Sequence, residues 1–284
     1  MEDSQILALL KDPDKEVRRR AAWDYSHRLP TIARPLLVPL LRDESWHVRS
    51  YVLMGLHSLD DEATFQEVLP VVINCLQDEH AEVRRQAADA LRTFSWRFKS
   101  FDREEVMPRV LPLLEDQNLE TQAQAAHTLA TWGYAPAVAR LIALVNSADS
   151  GARTFALRGV RYLQLKEAIP AVLAALEQID HPQELASVLD VLSIVQSKEA
   201  IPVLVRFLSY RMPESYAGFF SHVVNPKVPD SLTTGIRRSA AQTLKQLNEP
   251  QTLELVRPLL DDPDENIREL ARDLVQHFEK ENQA

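Results

Sequence analysis

Apolar residues recur every three or four positions through most of this chain, the spacing that places them on one face of an α-helix. The clearest segment runs from Glu82 to Leu91, where an apolar residue and an arginine are followed one turn later by alanines. The same apolar–basic pair recurs at Val17-Arg18, Val48-Arg49, Ile236-Arg237 and Ile267-Arg268. An apolar stretch that ends in an acidic turn precedes most copies. The pattern therefore predicts helical hairpins, each with a first helix, an acidic turn and a second helix that carries the basic residue.

The basic position repeats at a nearly constant interval. It falls at Arg18, Arg49, Arg84, Arg153, Arg237 and Arg268, while Gln122 and Leu185 hold it in two further copies. The intervals are 31, 35, 38, 31, 32, 52 and 31 residues. Periods of this length indicate a solenoid of stacked repeats. We predict an all-α fold, a right-handed α-solenoid of about eight hairpins that forms one domain over residues 1–284.

Five of the repeats also carry an acid five residues before the apolar position of the second helix, as Asp43 precedes Val48 and Asp78 precedes Val83. A carboxylate there can accept hydrogen bonds from the N–H groups that open the helix. The arginine that follows the apolar residue can reach the acid of its own or a neighbouring repeat. We expect a ladder of acid–arginine pairs, interrupted in the sixth repeat where Leu185 replaces arginine.

Prolines recur in the first helices, for example at Pro39, Pro70 and Pro108, where they bend a helix or lie in its first turn. A proline in the first helix with an acid and a Val-Arg pair before and in the second resembles the HEAT-repeat family. The short period and the Glu-Ala-Ile-Pro linkers at 167–170 and 199–202 resemble the subtype of the phycobilin lyases. The resemblance implies that the second helices line a concave surface.

The interval of 52 residues indicates an insertion of about 20 residues at about 210–230, between the two helices of the seventh repeat. It contains four aromatic residues within 11 positions, which are Tyr210, Tyr216, Phe219 and Phe220. Long loops without secondary structure tend to be functional or disordered, and aromatic residues argue against disorder. The loop either binds a partner or folds back over the core of its own repeat.

Composition narrows the class of protein. Hydrophobic residues make up 45% of the chain and the net charge is −9, which argues against nucleic acid as the main partner. The single cysteine, Cys75, excludes an internal disulfide and aligns with core leucines of other first helices. An acidic N-terminus and the lack of a long apolar run predict a cytoplasmic protein that does not span a membrane.

Motifs that carry chemistry are absent from the sequence. It contains no Gly-rich phosphate loop, no G-x-S-x-G and no H-E-x-x-H. No histidine is followed by glutamate, so the iron-binding hydroxylases built from similar repeats are excluded. We therefore expect no catalytic residues, no metal and no cofactor, and a protein that is not an enzyme.

The outward positions of the second helices mix aromatic residues, methionine and arginine, which are common in the cores of protein interfaces. The candidate partner-binding residues are Trp23, Tyr51, Met54, Arg92, Trp96, His127, Phe155, Arg158, Arg161 and Tyr162, with Tyr216, Phe219 and Phe220 of the insertion.

The favoured function is a non-catalytic scaffold or adaptor whose protein partner presents acidic and apolar side chains. One alternative, implied only by the repeat subtype, is a bilin lyase or lyase-like chaperone subunit that holds a tetrapyrrole through arginines and aromatic rings. A second is a DNA-binding alkylpurine glycosylase, for which Trp23-Asp24 beside Arg19 and Arg20 is a loose match and the net charge of −9 is unfavourable.

Overall fold

The computed structural model describes residues 3–26, 36–176, 179, 181–212 and 228–281. Within these ranges sixteen α-helices follow one another in eight hairpins. The first four hairpins contain α1 (Asp3–Leu9), α2 (Lys15–Ser26), α3 (Leu37–Leu40), α4 (Trp46–Gly55), α5 (Glu62–Cys75), α6 (Ala81–Arg97), α7 (Arg103–Val110) and α8 (Leu119–Thr131). The last four contain α9 (Ala135–Leu144), α10 (Ser150–Leu163), α11 (Ile169–Ala175), α12 (Pro182–Val195), α13 (Ile201–Leu208), α14 (Val228–Leu247), α15 (Thr252–Val256) and α16 (Glu265–Glu281). The predicted helical-repeat class is confirmed.

The chain forms two compact units, Met1–Leu141 and Ile142–Ala284. In the first unit the second helices stack in order, α2 on α4, α4 on α6 and α6 on α8. In the second unit α10 packs on α12, α12 on α14 and α14 on α16. Each unit therefore repeats one contact, that between consecutive second helices.

The second helices stack closely because their facing positions are small. Ala21, Ala22, Ala87, Ala88 and Ala125 are all buried. Larger residues fill the space between the two helices of a hairpin, as Phe65 of α5 does where it stacks on Phe98 with ring centroids 4.2 Å apart. The small residues thus set the distance between neighbouring repeats, and the large ones form the core of each repeat.

The prolines of the first helices lie at different positions along them. Pro170 and Pro202 lie in the first turn of α11 and α13, where their missing N–H groups have no partner within the helix to lose. Pro112 and Pro258 lie in the 3₁₀ segments Leu111–Glu115 and Arg257–Asp261, which follow α7 and α15. Pro39, Pro70 and Pro108 lie inside α3, α5 and α7.

The predicted insertion lies between α13 and α14. Residues 228–230 at its end form the first turn of α14. Tyr216, Phe219 and Phe220 lie outside the described residues, and their role stays a prediction. None of the helices in the described ranges has the length and hydropathy needed to cross a membrane.

Cys75 lies at the end of α5 and is 6% exposed. Burial in apolar surroundings, the largest effect, raises the pKa of its thiol to about 11. The thiolate is the nucleophilic form of cysteine, and the raised pKa keeps Cys75 in its thiol form. A buried, unreactive thiol matches the prediction of a core residue.

Candidate functional site

The predicted acid–arginine ladder is present in both units. In the first unit the guanidinium of Arg49 binds the two carboxylate oxygens of Asp78 through Nε and Nη2, at 2.8 Å each. Arg84 binds Asp116 in the same way, at 2.6 and 2.8 Å, and Arg18 binds Asp43 at 2.7 and 3.1 Å. We call each arginine with the carboxylate of the following repeat a rung.

The third guanidinium nitrogen of each of these arginines donates to the turn of the arginine's own repeat. Nη1 of Arg49 donates to the backbone carbonyls of Asp43 and Glu44, at 2.7 and 3.1 Å. The rung carboxylate in turn accepts the N–H of the residue that precedes the second helix, as Asp78 does from His80 at 2.9 Å. Each rung therefore joins the turns of two consecutive repeats through charge-assisted hydrogen bonds.

The second unit keeps the ladder with different acceptors. Arg153 binds Oε2 of Glu184 at 2.7 and 3.0 Å. Arg237 donates to the carbonyl of Tyr210 at 2.9 Å and to Asp264 at 3.0 Å. The rung into the sixth repeat is thus present, while Leu185 begins no rung, since this side chain is apolar and buried.

Gln122 occupies the arginine position of the fourth repeat. Its amide donates to the carbonyl of Asp116, which reproduces the contact that arginines make with their own turn. Its side-chain oxygen accepts a hydrogen bond from Arg140 of α9. The neutral side chain of Gln122 therefore preserves the contact with its own turn, and Arg140 of the next helix supplies a positive charge beside it.

The ladder predicts a dependence of stability on pH. Burial raises the carboxyl pKa of Asp116, but hydrogen bonds from Arg84 and from the N–H of Asn118, with the charge of Arg84, outweigh burial and lower the pKa. A carboxylate whose pKa is lower when folded stabilises the protein above its unfolded pKa of about 3.9 and loses that contribution as the pH falls further. Between pH 6 and pH 3, urea unfolding should show a larger loss of stability for the wild type than for Asp116→Asn. The exposed neighbour variant Glu115→Gln should follow the wild type, and equal losses in all three proteins would contradict this assignment.

Exposed hydrophobic side chains concentrate on the second helices. Five large ones are exposed among the described residues: Trp23 at 48%, Trp96 at 56%, Tyr162 at 53%, Ile194 at 40% and Leu255 at 43%. Four of them lie on α2, α6, α10 and α12, and only Leu255 lies on a first helix. Their positions can be counted from the residue directly before the ladder residue of each repeat. Trp23 lies 6 residues after it, Trp96 lies 13 after it, and Tyr162 and Ile194 each lie 10 after it. Positions three or four residues apart share a helix face. Within each unit the two exposed residues therefore lie on corresponding faces of their second helices, and we call this face the stripe of that unit.

The remaining candidates on this stripe differ in exposure. Tyr51, Met54 and Phe155 are partly buried, while Arg161 is exposed. Arg158 lies over the ring of Phe155, 4.8 Å from its centroid, in a cation–π contact. Tyr51 and Met54 lie on α4 and the other three on α10. Their role in binding stays a prediction.

His127 departs from the expectation, because it is only 2% exposed. It lies on α8 among side chains that bind α6, for Thr128 donates to the carbonyl of Ala88 at 3.0 Å. His127 therefore does not belong to the accessible part of the stripe, and its predicted exposure is wrong.

Asp89 lies at the centre of a buried polar cluster on the second helices. It is 5% exposed and accepts hydrogen bonds from Arg92 at 2.8 and 3.0 Å and from Gln124 of α8 at 3.0 Å. His57, which follows α4, lies 3.5 Å from its other oxygen. Arg92, which was predicted to be a surface residue, is thus paired with a carboxylate on the same helix.

Sequence reasoning missed one contact between repeats. Trp46 at the start of α4 stacks on His80, which precedes α6, with ring centroids 3.6 Å apart and planes within 9°. The two rings stand at nearly equivalent positions of consecutive repeats, and that correspondence was the available signal.

Stacked helical hairpins joined by an acid–arginine ladder define an α-helical repeat protein. The family model for HEAT repeats matches residues 4–92 and 69–158, which together cover more than half of the chain. The protein belongs to the HEAT-repeat family, as predicted. No curated protein matches the sequence.

Solved structures support the same class. YibA from Escherichia coli aligns with a TM-score of 0.63 and 15% identity over 99% of this chain and 93% of its own. A homology model of the full-length AP-3 complex aligns with a TM-score of 0.65 and 13% identity, over 96% of this chain and 50% of the other. At these identities the likeness shows the fold alone.

Proposed function

We propose that the protein is a non-catalytic scaffold that binds a protein partner on the stripe that the second helices form within each unit. The observation that carries this proposal is the placement of Trp23, Trp96, Tyr162 and Ile194, which are exposed at corresponding positions of different repeats. Exposed aromatic side chains that share one face are typical of interaction surfaces, and tryptophan and tyrosine are over-represented among the residues that dominate binding energy.

The ladder supports the proposal from the structural side. A repeat protein in which each turn is bonded to the next presents its second helices at a defined spacing. Such preorganisation reduces the entropy lost when a surface binds. The family supports binding over catalysis in general terms, because repeat arrays use their extended surfaces for recognition. The tetrapyrrole and DNA alternatives stay predictions, as does the absence of catalysis.

The test is affinity capture with the full chain, followed by mass spectrometry. The triple variant Trp23→Ala, Trp96→Ala, Tyr162→Ala should retain roughly a tenth or less of the partner bound by the wild type, since truncated aromatic anchors typically cost more than 1 kcal/mol each. Leu255→Ala removes a side chain of similar exposure from a first helix and should leave capture unchanged. If the triple variant and the Leu255 variant capture the same proteins in the same amounts as the wild type, the stripe is not the binding surface.

A further inference from the structure

The charges on the second-helix face of the first unit are balanced at one end and unbalanced at the other. On α6, Arg92 is paired with Asp89 at 2.8 Å. Arg85 is paired with Glu82 of the same helix and lies 3.9 Å from Glu120 of α8. Arg85 and Arg92 therefore satisfy acids on the face itself and offer little charge to a partner. Arg97 at the end of α6 instead lies over the ring of Trp96, 5.6 Å from its centroid, and donates to the carbonyl of Leu59.

Arg20 on α2 is different. It is exposed, and in the ranges that the structure describes it forms no ion pair. Arg19 beside it is held by Glu16 at 2.9 Å. Asp24 lies one turn after Arg20 on the same helix, but no ion pair joins the two in the described residues. Arg20 is thus a guanidinium available to an external carboxylate.

Next to Arg20 is an aromatic notch. The rings of Trp23 and Tyr51 meet edge to face, with centroids 5.2 Å apart, and Trp23 remains 48% exposed. The ring centroids of His47 and Tyr51 are 6.4 Å apart. Met54 stands one turn after Tyr51 on α4 and is partly exposed. An apolar side chain that entered this notch would contact two rings and a flexible thioether.

We propose that Arg20, Trp23, His47, Tyr51 and Met54 form the docking site for an acidic segment of a partner protein, which places a carboxylate on Arg20 and packs an adjacent apolar side chain against Trp23 and Tyr51. This inference rests on the proposed scaffold function and assigns it a location and a chemistry. We call these five residues the α2–α4 patch.

Charge complementarity selects this partner over others. Arg19 and Arg20 repel a basic segment. A single-stranded nucleic acid would stack on the same rings, but a long polyanion must approach a chain of net charge −9, with Asp24 one turn from Arg20. A short acidic segment with one bulky apolar residue satisfies both the guanidinium and the rings without that repulsion.

The test is selection of a phage-displayed library of random dodecapeptides on the full chain, followed by fluorescence anisotropy of the enriched peptides. Enriched sequences should pair a glutamate or aspartate with a neighbouring aromatic, leucine or methionine residue. Arg20→Glu should weaken them about tenfold and Trp23→Ala about tenfold or more, as loss of an anchor residue does. The control Arg42→Glu, Leu255→Ala removes an exposed arginine and an exposed apolar side chain that lie outside the second-helix face, and it should have no effect. The α10 variant Arg161→Glu, Tyr162→Ala tests the second-helix face of the other unit separately. Circular dichroism melts should show that the variants remain folded.

Four outcomes would overturn the inference. They are an absence of enriched peptides, a basic consensus, binding that survives Arg20→Glu and Trp23→Ala, and preferential binding of oligothymidine with a steep dependence on salt. If the α10 variant abolishes peptide binding while the α2 variants do not, the scaffold function stands and only the α2–α4 patch is wrong. If peptides fail and affinity capture is also insensitive to the triple variant, both proposals fail together.

Discussion

Arg49→Ala is expected to destabilise the protein by about 3–5 kcal/mol, because removing one partner of a buried ion pair leaves an uncompensated charge. Arg49 is 8% exposed. Its loss would leave the carboxylate of Asp78 without its two bonds at 2.8 Å and the carbonyls of Asp43 and Glu44 without a donor. Urea unfolding followed by circular dichroism at 222 nm measures the change.

Two further variants separate the rung from the general effect of losing a side chain. Arg42→Ala removes an exposed arginine from the same turn and should change stability by about 0.5 kcal/mol or less. In a double-mutant cycle, Arg49→Ala and Asp78→Ala should show a coupling of about 1–3 kcal/mol, because the two residues share one set of hydrogen bonds. Equal effects of Arg49→Ala and Arg42→Ala would show that the rung does not stabilise the stack.

Asp89→Ala should cost about 3–5 kcal/mol for a related reason, since it leaves the guanidinium of Arg92 without its buried carboxylate. The amide of Gln124 on α8 would also lose its acceptor, which links two consecutive second helices. Asp89→Asn keeps the shape of the side chain and removes its charge, so its cost should be intermediate. Thermal and urea unfolding give the two values.

The matched control for this experiment is Glu67→Ala on α5, an exposed acid whose removal should be nearly neutral. The α2–α4 patch provides a second readout. If Asp89 only organises the paired end of the face, peptides selected on the wild type should still bind Asp89→Asn under conditions where it is folded. A stability loss no larger than that of Glu67→Ala would mean that the polar cluster is held by packing rather than by its carboxylate.

The hairpins and the ladder could be predicted because both depend on local rules that repeat. An apolar spacing of three to four residues selects helices, and one acid and one arginine at fixed positions recur often enough to be recognised above chance. Arg49 and Asp78 are 29 residues apart, nearly one repeat, so the periodicity itself implies that they meet.

Other features could not be predicted because they depend on the depth of a side chain among its neighbours. His127 and Met54 occupy equivalent positions of their repeats, yet only His127 is buried, since α8 and α6 interlock through Thr128 and Gln124. The acceptors of Arg237 could not be predicted either, because one of them is the backbone carbonyl of Tyr210, which no pattern of side chains indicates.

The shared rung has a consequence for how such a chain changes in length. The donor of each rung belongs to one repeat and its acceptor to the next, and most repeats carry both. Duplication or loss of a whole number of periods therefore restores every junction at once, without new compensating substitutions. A change of half a period would instead leave a guanidinium without a carboxylate on one side of the junction and a carboxylate without a guanidinium on the other. Such a chain should therefore gain or lose repeats in complete periods.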